Sequence, residues 1–105
     1  MDGKTTIKYL QNYIRSKDHN PDLKKEYYMK LAEEVGELSR AMRKNLLASQ
    51  TGQIKETIDE ELWDVMYYAI ALANCYQIDL EQVIKEKEEL NRVKYNSKVI
   101  FEENR

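Results

Sequence analysis

The stretch LWDVMYYAIALANCYQI, residues 62–78, carries one charged residue, Asp64. Leu62, Val65, Ala69, Leu72 and Tyr76 recur at steps of three and four, which predicts a helix. Trp63, Met66, Tyr67, Ile70 and Ala73 or Asn74 cover much of the remaining circumference. A helix apolar nearly all round is one that is buried on all sides. It is not a membrane span, because no uninterrupted apolar run in the chain reaches that length. The rest of the chain, or another copy of it, must therefore cover this helix. A chain of 105 residues builds one modest core. Its other helical patterns show one apolar stripe each, too little to enclose the stretch. The expectation is a homo-oligomer with part of this helix in the interface.

The remaining elements follow from periodicity and caps. Ile7, Leu10 and Ile14 give a first helix one stripe, with Thr5 or Thr6 as its cap. SKDHNPD is a turn, where Asn20 can cap and Pro21 suits a first helical position. A second helix then runs to about Ala48, with the stripe Tyr27 or Tyr28, Leu31, Val35, Leu38 and Met42. ASQTGQ, residues 48–53, reads as a loop, and the third helix as running from about Ile54 to Tyr76. Asp79 with Gln82 resembles a capping box and opens a fourth helix through about Lys94. The last stretch begins with turn residues and holds an apolar patch, Val99 to Phe101. Three glycines and one proline leave little punctuation for an all-β fold. The expected fold is all-α, a four-helix bundle in one domain, 1–105, with a core over about 5–95 and a tail at 96–105.

Composition narrows the function classes. The net charge of −2 advertises neither a nucleic acid nor an anionic membrane as partner. Cys75, the one cysteine, has no internal disulfide partner and sits in an apolar run. It reads as a buried, reduced thiol in a cytoplasmic protein. The N-terminus, MDGKTTIKY, lacks the apolar core of a signal peptide.

The acidic residues do not fit the helical stripes they interrupt. LAEEVGEL, residues 31–38, interleaves Glu33, Glu34 and Glu37 with core-like Leu31, Val35 and Leu38, and EELWDV echoes it at 60–65. Residues three apart on a helix lie about 60° apart in azimuth and about 4.5 Å along the axis. Glu34 with Glu37, and Glu61 with Asp64, are such pairs. Glu34 lies three after Leu31 and four before Leu38, so it shares the core stripe. Glu61 stands in the same relation to Ile58 and Val65. Two antiparallel helices facing each other would bring these carboxylates together. Alone they repel, and some stay protonated. A hard divalent cation with oxygen ligands resolves this, and Mg²⁺, with Mn²⁺ as a possible substitute, is the natural choice.

The plain alternative is a solvated acidic face. In the fourth helix Glu81 with Lys85, and Glu88 with Arg92, have the spacing of ordinary ion pairs. Glu61 and Asp64 have no cation at helical neighbour positions, and Glu34 and Glu37 have one each, Lys30 and Arg40. Other metals are disfavoured. A ferritin-like di-iron bundle needs paired ExxH motifs, and the chain has one histidine, His19, in a turn. His19 reads as a turn residue, and it would touch a substrate only if that loop approaches the site. No His/Cys cluster suits zinc.

The fourth helix changes character along its length. Its stripe begins Leu80, Val83, Ile84 and continues Lys87, Asn91, Lys94 and Tyr95. A stripe that turns from apolar to cationic and amide suggests a core opening into a polar cleft. Lys and Asn donate hydrogen bonds to phosphate oxygens. Arg92, one step round, can contact phosphate or pair with Glu88. Gly36, a poor helix residue, offers close approach to a neighbouring helix or ligand.

EEVGE at 33–37 and ELWD at 61–64 resemble the EExxE…ExxD signature of the all-α nucleoside triphosphate pyrophosphohydrolases, the MazG-like superfamily. KEELNRVKY, 87–95, resembles the family's phosphate-contacting helix, and the likeness runs from about Leu23 to Tyr95. It looks closest to the short single-domain members. The resemblance implies a helical bundle, Mg²⁺, a homodimer or homotetramer, and hydrolysis of a nucleotide to a monophosphate and pyrophosphate. By motif position Glu34, Glu37, Glu61 and Asp64 hold the metal, and Glu33 stands behind them. Lys87, Asn91, Arg92, Lys94 and Tyr95 fall to the substrate. Glu34 is the carboxylate expected to orient and deprotonate the attacking water. Tyr68, one turn after Asp64, is a candidate wall for the base, whereas Trp63 points elsewhere, to packing or an interface.

Three functions fit these residues. One is a (deoxy)nucleoside triphosphate pyrophosphohydrolase that cleans the nucleotide pool. A second is an enzyme like the phosphoribosyl-ATP pyrophosphohydrolases. The third is a non-enzymatic helical oligomer with a structural acidic cluster. Base and sugar preference have no spacing rule and are not legible in the sequence.

Overall fold

The computed structural model describes residues 4–102. They form α1 (Ile7–Lys17), a 3₁₀ turn (Pro21–Leu23), α2 (Lys24–Lys44), a one-turn α3 (Ala48–Thr51), α4 (Ile58–Cys75) and α5 (Leu80–Lys94). The four long helices are those the periodicity predicts. Among the described residues no helix is long and apolar enough to cross a membrane.

The caps explain most boundaries. Thr6 accepts a hydrogen bond from the Tyr9 N–H and starts α1. Asp79 accepts from the N–H groups of Glu81 and Gln82 and starts α5. Pro21 opens the 3₁₀ turn that leads into α2. Asn20 does not cap with its side chain, whose amide instead donates to the Tyr27 hydroxyl.

Two boundaries differ from the periodic reading. α2 stops at Lys44 because Asn45 adopts a left-handed conformation, φ 53°, and ends the ladder. α4 starts at Ile58 rather than about Ile54, because Thr57 supplies the cap and accepts from the Glu60 N–H. The segment expected as a loop contains α3, a turn closed by Gly52 at φ 78°. Asp59 holds that turn by accepting from the Ala48 N–H.

α2 and α4 form the main packed pair, with α1 laid against α4 and α5 against α1. α2 and α4 run antiparallel. Tyr27, near the start of α2, packs in one cluster with Ile14 and with Ile70, Ala71 and Cys75 toward the end of α4. Leu10, Tyr67, Tyr68, Leu72 and Leu80 pack around that cluster. The Tyr27 and Tyr67 hydroxyls donate to the two oxygens of Asp18, 2.8 and 3.1 Å away, and tie the end of α1 to both helices. Gln11 and Asn74, both buried, bond each other and the turn into α5. Cys75 is a free, buried thiol, as expected, and burial raises its pKa.

The chain does not bury α4 on all sides. Leu62 is 50% exposed and Met66 46%, and on α2 Val35 and Met42 are 49% and 60% exposed instead of lying in the core. The covered face of α2 includes Tyr27, Leu31, Glu34, Leu38 and Ala41, so Glu34 and Ala41 take places that Val35 and Met42 were expected to fill. The radius of gyration is 16.2 Å. A closed domain of this length has a radius of gyration of about 13 Å.

Candidate metal centre

Glu34 projects from the middle of α2, and Glu61 and Asp64 from the first two turns of α4. One carboxylate oxygen from each lies within 4.8 Å of the other two. Glu61 is buried, and Glu34 and Asp64 are half-buried. Thr57, 1% exposed, fixes the start of α4, and the Ile58 N–H donates to the Leu46 carbonyl, so the end of α4 that bears the acids is anchored.

The electrostatics are those of like charges held out of water. Burial pushes the Glu61 carboxyl up to about 7, and the neighbouring carboxylates of Glu34, Asp64 and Glu60 add to the shift. Burial also raises Asp64, with Glu60 adding to it and a hydrogen bond from Glu61 opposing it. Glu61 Oε1 is buried with no hydrogen-bond partner. Three carboxylates and an orphaned oxygen suit a hard divalent cation, which needs oxygen ligands and no nitrogen or sulfur. The donor set therefore fits the metal that the sequence implies.

The other predicted residues lie around this centre or apart from it. Glu37 stands outside the three-acid group and pairs with Arg40 at 3.5 Å, yet it lines a cavity of about 100 Å³ together with Glu61. Glu33 is on the outer face, paired with Lys30 at 3.7 Å. Tyr68 is half-buried and edge-on to Tyr67, with ring centres 5.1 Å apart. Trp63 is also edge-on to Tyr67, with ring centres 6.0 Å apart.

Asn91 and Arg92 of α5 and Tyr95, just after it, line one open cavity of about 620 Å³ together with Ser97 and the 99–101 patch. None of the three clustered acids lines it. Arg92 pairs with Glu89 at 2.7 Å, not with Glu88. Lys94 lies over the Tyr95 ring, and Lys87 is exposed. Glu81 is no plain surface acid, because it accepts the Lys8 N–H at the start of α1. A Cβ at Gly36 would meet nothing within 4 Å, so this glycine makes no close approach within the chain. His19 is half-buried in the turn after α1, and its Nδ1 has no partner.

Sequence reasoning passed over Glu60, whose charge bears on both Glu61 and Asp64 and whose Oε1 accepts the Glu56 N–H. Its place one residue before Glu61, in the first turn of α4, was the available signal. It also passed over Lys44, which shares the cavity of Glu37 and Glu61.

Residues 23–93 match the family model of the MazG nucleotide pyrophosphohydrolase domain. The chain belongs to this family. The iMazG protein of Vibrio DAT 722 is similar in structure. One crystal form, with an N-terminal tag, is 42% identical, has a TM-score of 0.77, and aligns over 88% of this chain and 99% of its own. A C-terminally tagged form is 40% identical with a TM-score of 0.76, over 84% and 99%. No curated protein matches the chain. The matched region contains the whole α2–α4 pair and all three clustered acids.

Proposed function

We propose that this chain is a Mg²⁺-dependent hydrolase that splits a (deoxy)nucleoside triphosphate into a monophosphate and pyrophosphate. One observation carries the reading: Glu34, Glu61 and Asp64 converge from two helices, with a buried Glu61 oxygen left without a partner. Glu34, Glu61 and Asp64 would hold the metal, with Glu37 as the fourth ligand. When bound, the metal neutralises phosphate charge and favours attack by water on phosphorus. Glu34 orients that water and takes its proton.

Asn91 and Arg92 donate to phosphate oxygens, with Lys94 and Tyr95 at the same end of α5 and Lys87 at its middle. Tyr68 offers an apolar wall for the base. Because the α5 cavity and the acid centre have separate walls within one chain, a second copy completes the site. The half-exposed Val35, Met42, Leu62 and Met66 provide the apolar surface for that homodimer or a homotetramer. Cleaning of the cytoplasmic nucleotide pool is the role we assign.

A screen for pyrophosphate release tests the reading. It uses Mg²⁺ with deoxynucleotides, ribonucleotides, damaged nucleotides and phosphoribosyl-ATP. Release from triphosphates supports it, and release from phosphoribosyl-ATP alone moves the chain to that second class. Metal uptake with no turnover on any of them leaves a structural acidic cluster.

A further inference from the structure

Glu37 has two candidate partners on one helix face. Glu34 lies three residues before it and Arg40 three after. On a helix these stand about 4.5 Å along the axis to either side. The Glu37 carboxylate is with Arg40, 3.5 Å away, and it is absent from the three-acid group. Yet Glu37 and Glu61 share the walls of the 100 Å³ cavity with Arg40 and Lys44. That space lies between the Glu37 and Glu61 side chains, so nothing in its lining separates the Glu37 carboxylate from Glu61.

We propose that Arg40 is a positioning residue: it holds Glu37 away from Glu34, Glu61 and Asp64 until a divalent cation takes the carboxylate from it. The inference rests on the metal-site reading above. The pair is suited to such a transfer. Both side chains are substantially exposed, 59% for Arg40 and 44% for Glu37, so the pair is weak and gives way to a divalent ion. Without Arg40, three carboxylates already crowded together would gain a fourth before any metal arrived. With it, the fourth ligand is kept nearby and charge-balanced.

Mn²⁺ binding to the full chain, followed by calorimetry, tests this. Arg40→Gln removes the competitor for Glu37, so Mn²⁺ should bind about two- to fivefold tighter, the range of an exposed ion pair. Loss of a positive charge also helps a cation through space, so the same change is made in a Glu37→Gln background. There Arg40→Gln should give only the smaller through-space gain, and the difference between backgrounds isolates the pair. Arg40→Lys keeps the cation and should restore wild-type affinity. Equal tightening in both backgrounds, or none in either, overturns the role of Arg40 while leaving the metal site standing. A wild-type chain that takes up no Mn²⁺ overturns the metal reading, and this proposal with it.

Discussion

The carboxylates of Glu34 and Glu61 approach within 4.8 Å across the antiparallel α2–α4 pair, and Glu61 is the buried member. Neither sits beside a cation that could neutralise it along its own helix face, apart from Lys30 near Glu34. Lys30, in turn, pairs with Glu33. The arrangement is unfavourable when ionised and becomes favourable with a divalent ion.

Metal should therefore stabilise the fold. A ligand that binds only the native state adds about 2.7 kcal/mol at a hundredfold excess over its dissociation constant. Thermal melts at neutral pH should show a higher midpoint with saturating Mg²⁺ than with EDTA. Coincident midpoints, with no heat of Mg²⁺ binding, would remove the metal from the centre.

Without metal, pH should act with an unusual sign. The Glu61 carboxyl is held at about 7 in the fold, against 4.5 as its ordinary value. The native state thus binds the extra proton between those values, and stability falls as pH rises through that window. Stability from this group is full below about 4.5 and gone above about 7. Melts in EDTA across pH 5 to 8 should fall on this account, and Glu61→Gln should flatten that part of the curve. Mg²⁺ affinity should rise over the same window, because the ion must displace the proton. An EDTA profile with the same slope in wild type and Glu61→Gln would contradict the assignment.

The long helices and the acidic centre were legible because both rest on spacing. Leu31, Glu34 and Leu38, or Ile58, Glu61 and Val65, fall on one helix face whatever the tertiary context. The ends of α2 and α4 were not legible, since Asn45 in a left-handed turn and the Thr57 cap override a continuous pattern. Burial was misread at Val35 and Met42 because period alone does not say which of two adjacent stripes faces the partner. The Glu34–Ala41 stripe took that place. Glu37 falls at the right spacing, but its rotamer follows Arg40, and spacing does not fix rotamers.

The exposed apolar surface gives a prediction about assembly. Met66 is 46% exposed and Leu62 50% on the same helix. If a second copy covers them, Met66→Glu buries a charge at the interface and should break the oligomer, while the monomer fold tolerates it. Sedimentation at micromolar concentration should show a dimer or larger for the wild type and a smaller species for the variant. A wild-type monomer at that concentration would count against the second copy.

The last prediction separates chemistry from folding. Glu61→Gln and Glu34→Gln preserve side-chain size and helix propensity and remove one charge each. As ligands to a catalytic metal, each should lose activity by more than about a hundredfold, since one electrostatic contact to a transition state is worth roughly 3 kcal/mol or more. Stability without metal at neutral pH should hold or rise, because repulsion among the remaining carboxylates falls. A structural acidic cluster predicts the reverse, a lower melting midpoint and no activity to lose. Glu81 is a poor control, since it accepts the Lys8 N–H and its loss would loosen the α1–α5 contact. Glu26, exposed in the first turn of α2, serves instead, and Glu26→Gln should change little. The measurement is pyrophosphate release at saturating Mg²⁺ on a responsive nucleotide, with melts alongside. If Glu61→Gln turns over at the wild-type rate, Glu61 does not hold a catalytic metal, and its raised pKa reflects burial beside other carboxylates and no catalytic role.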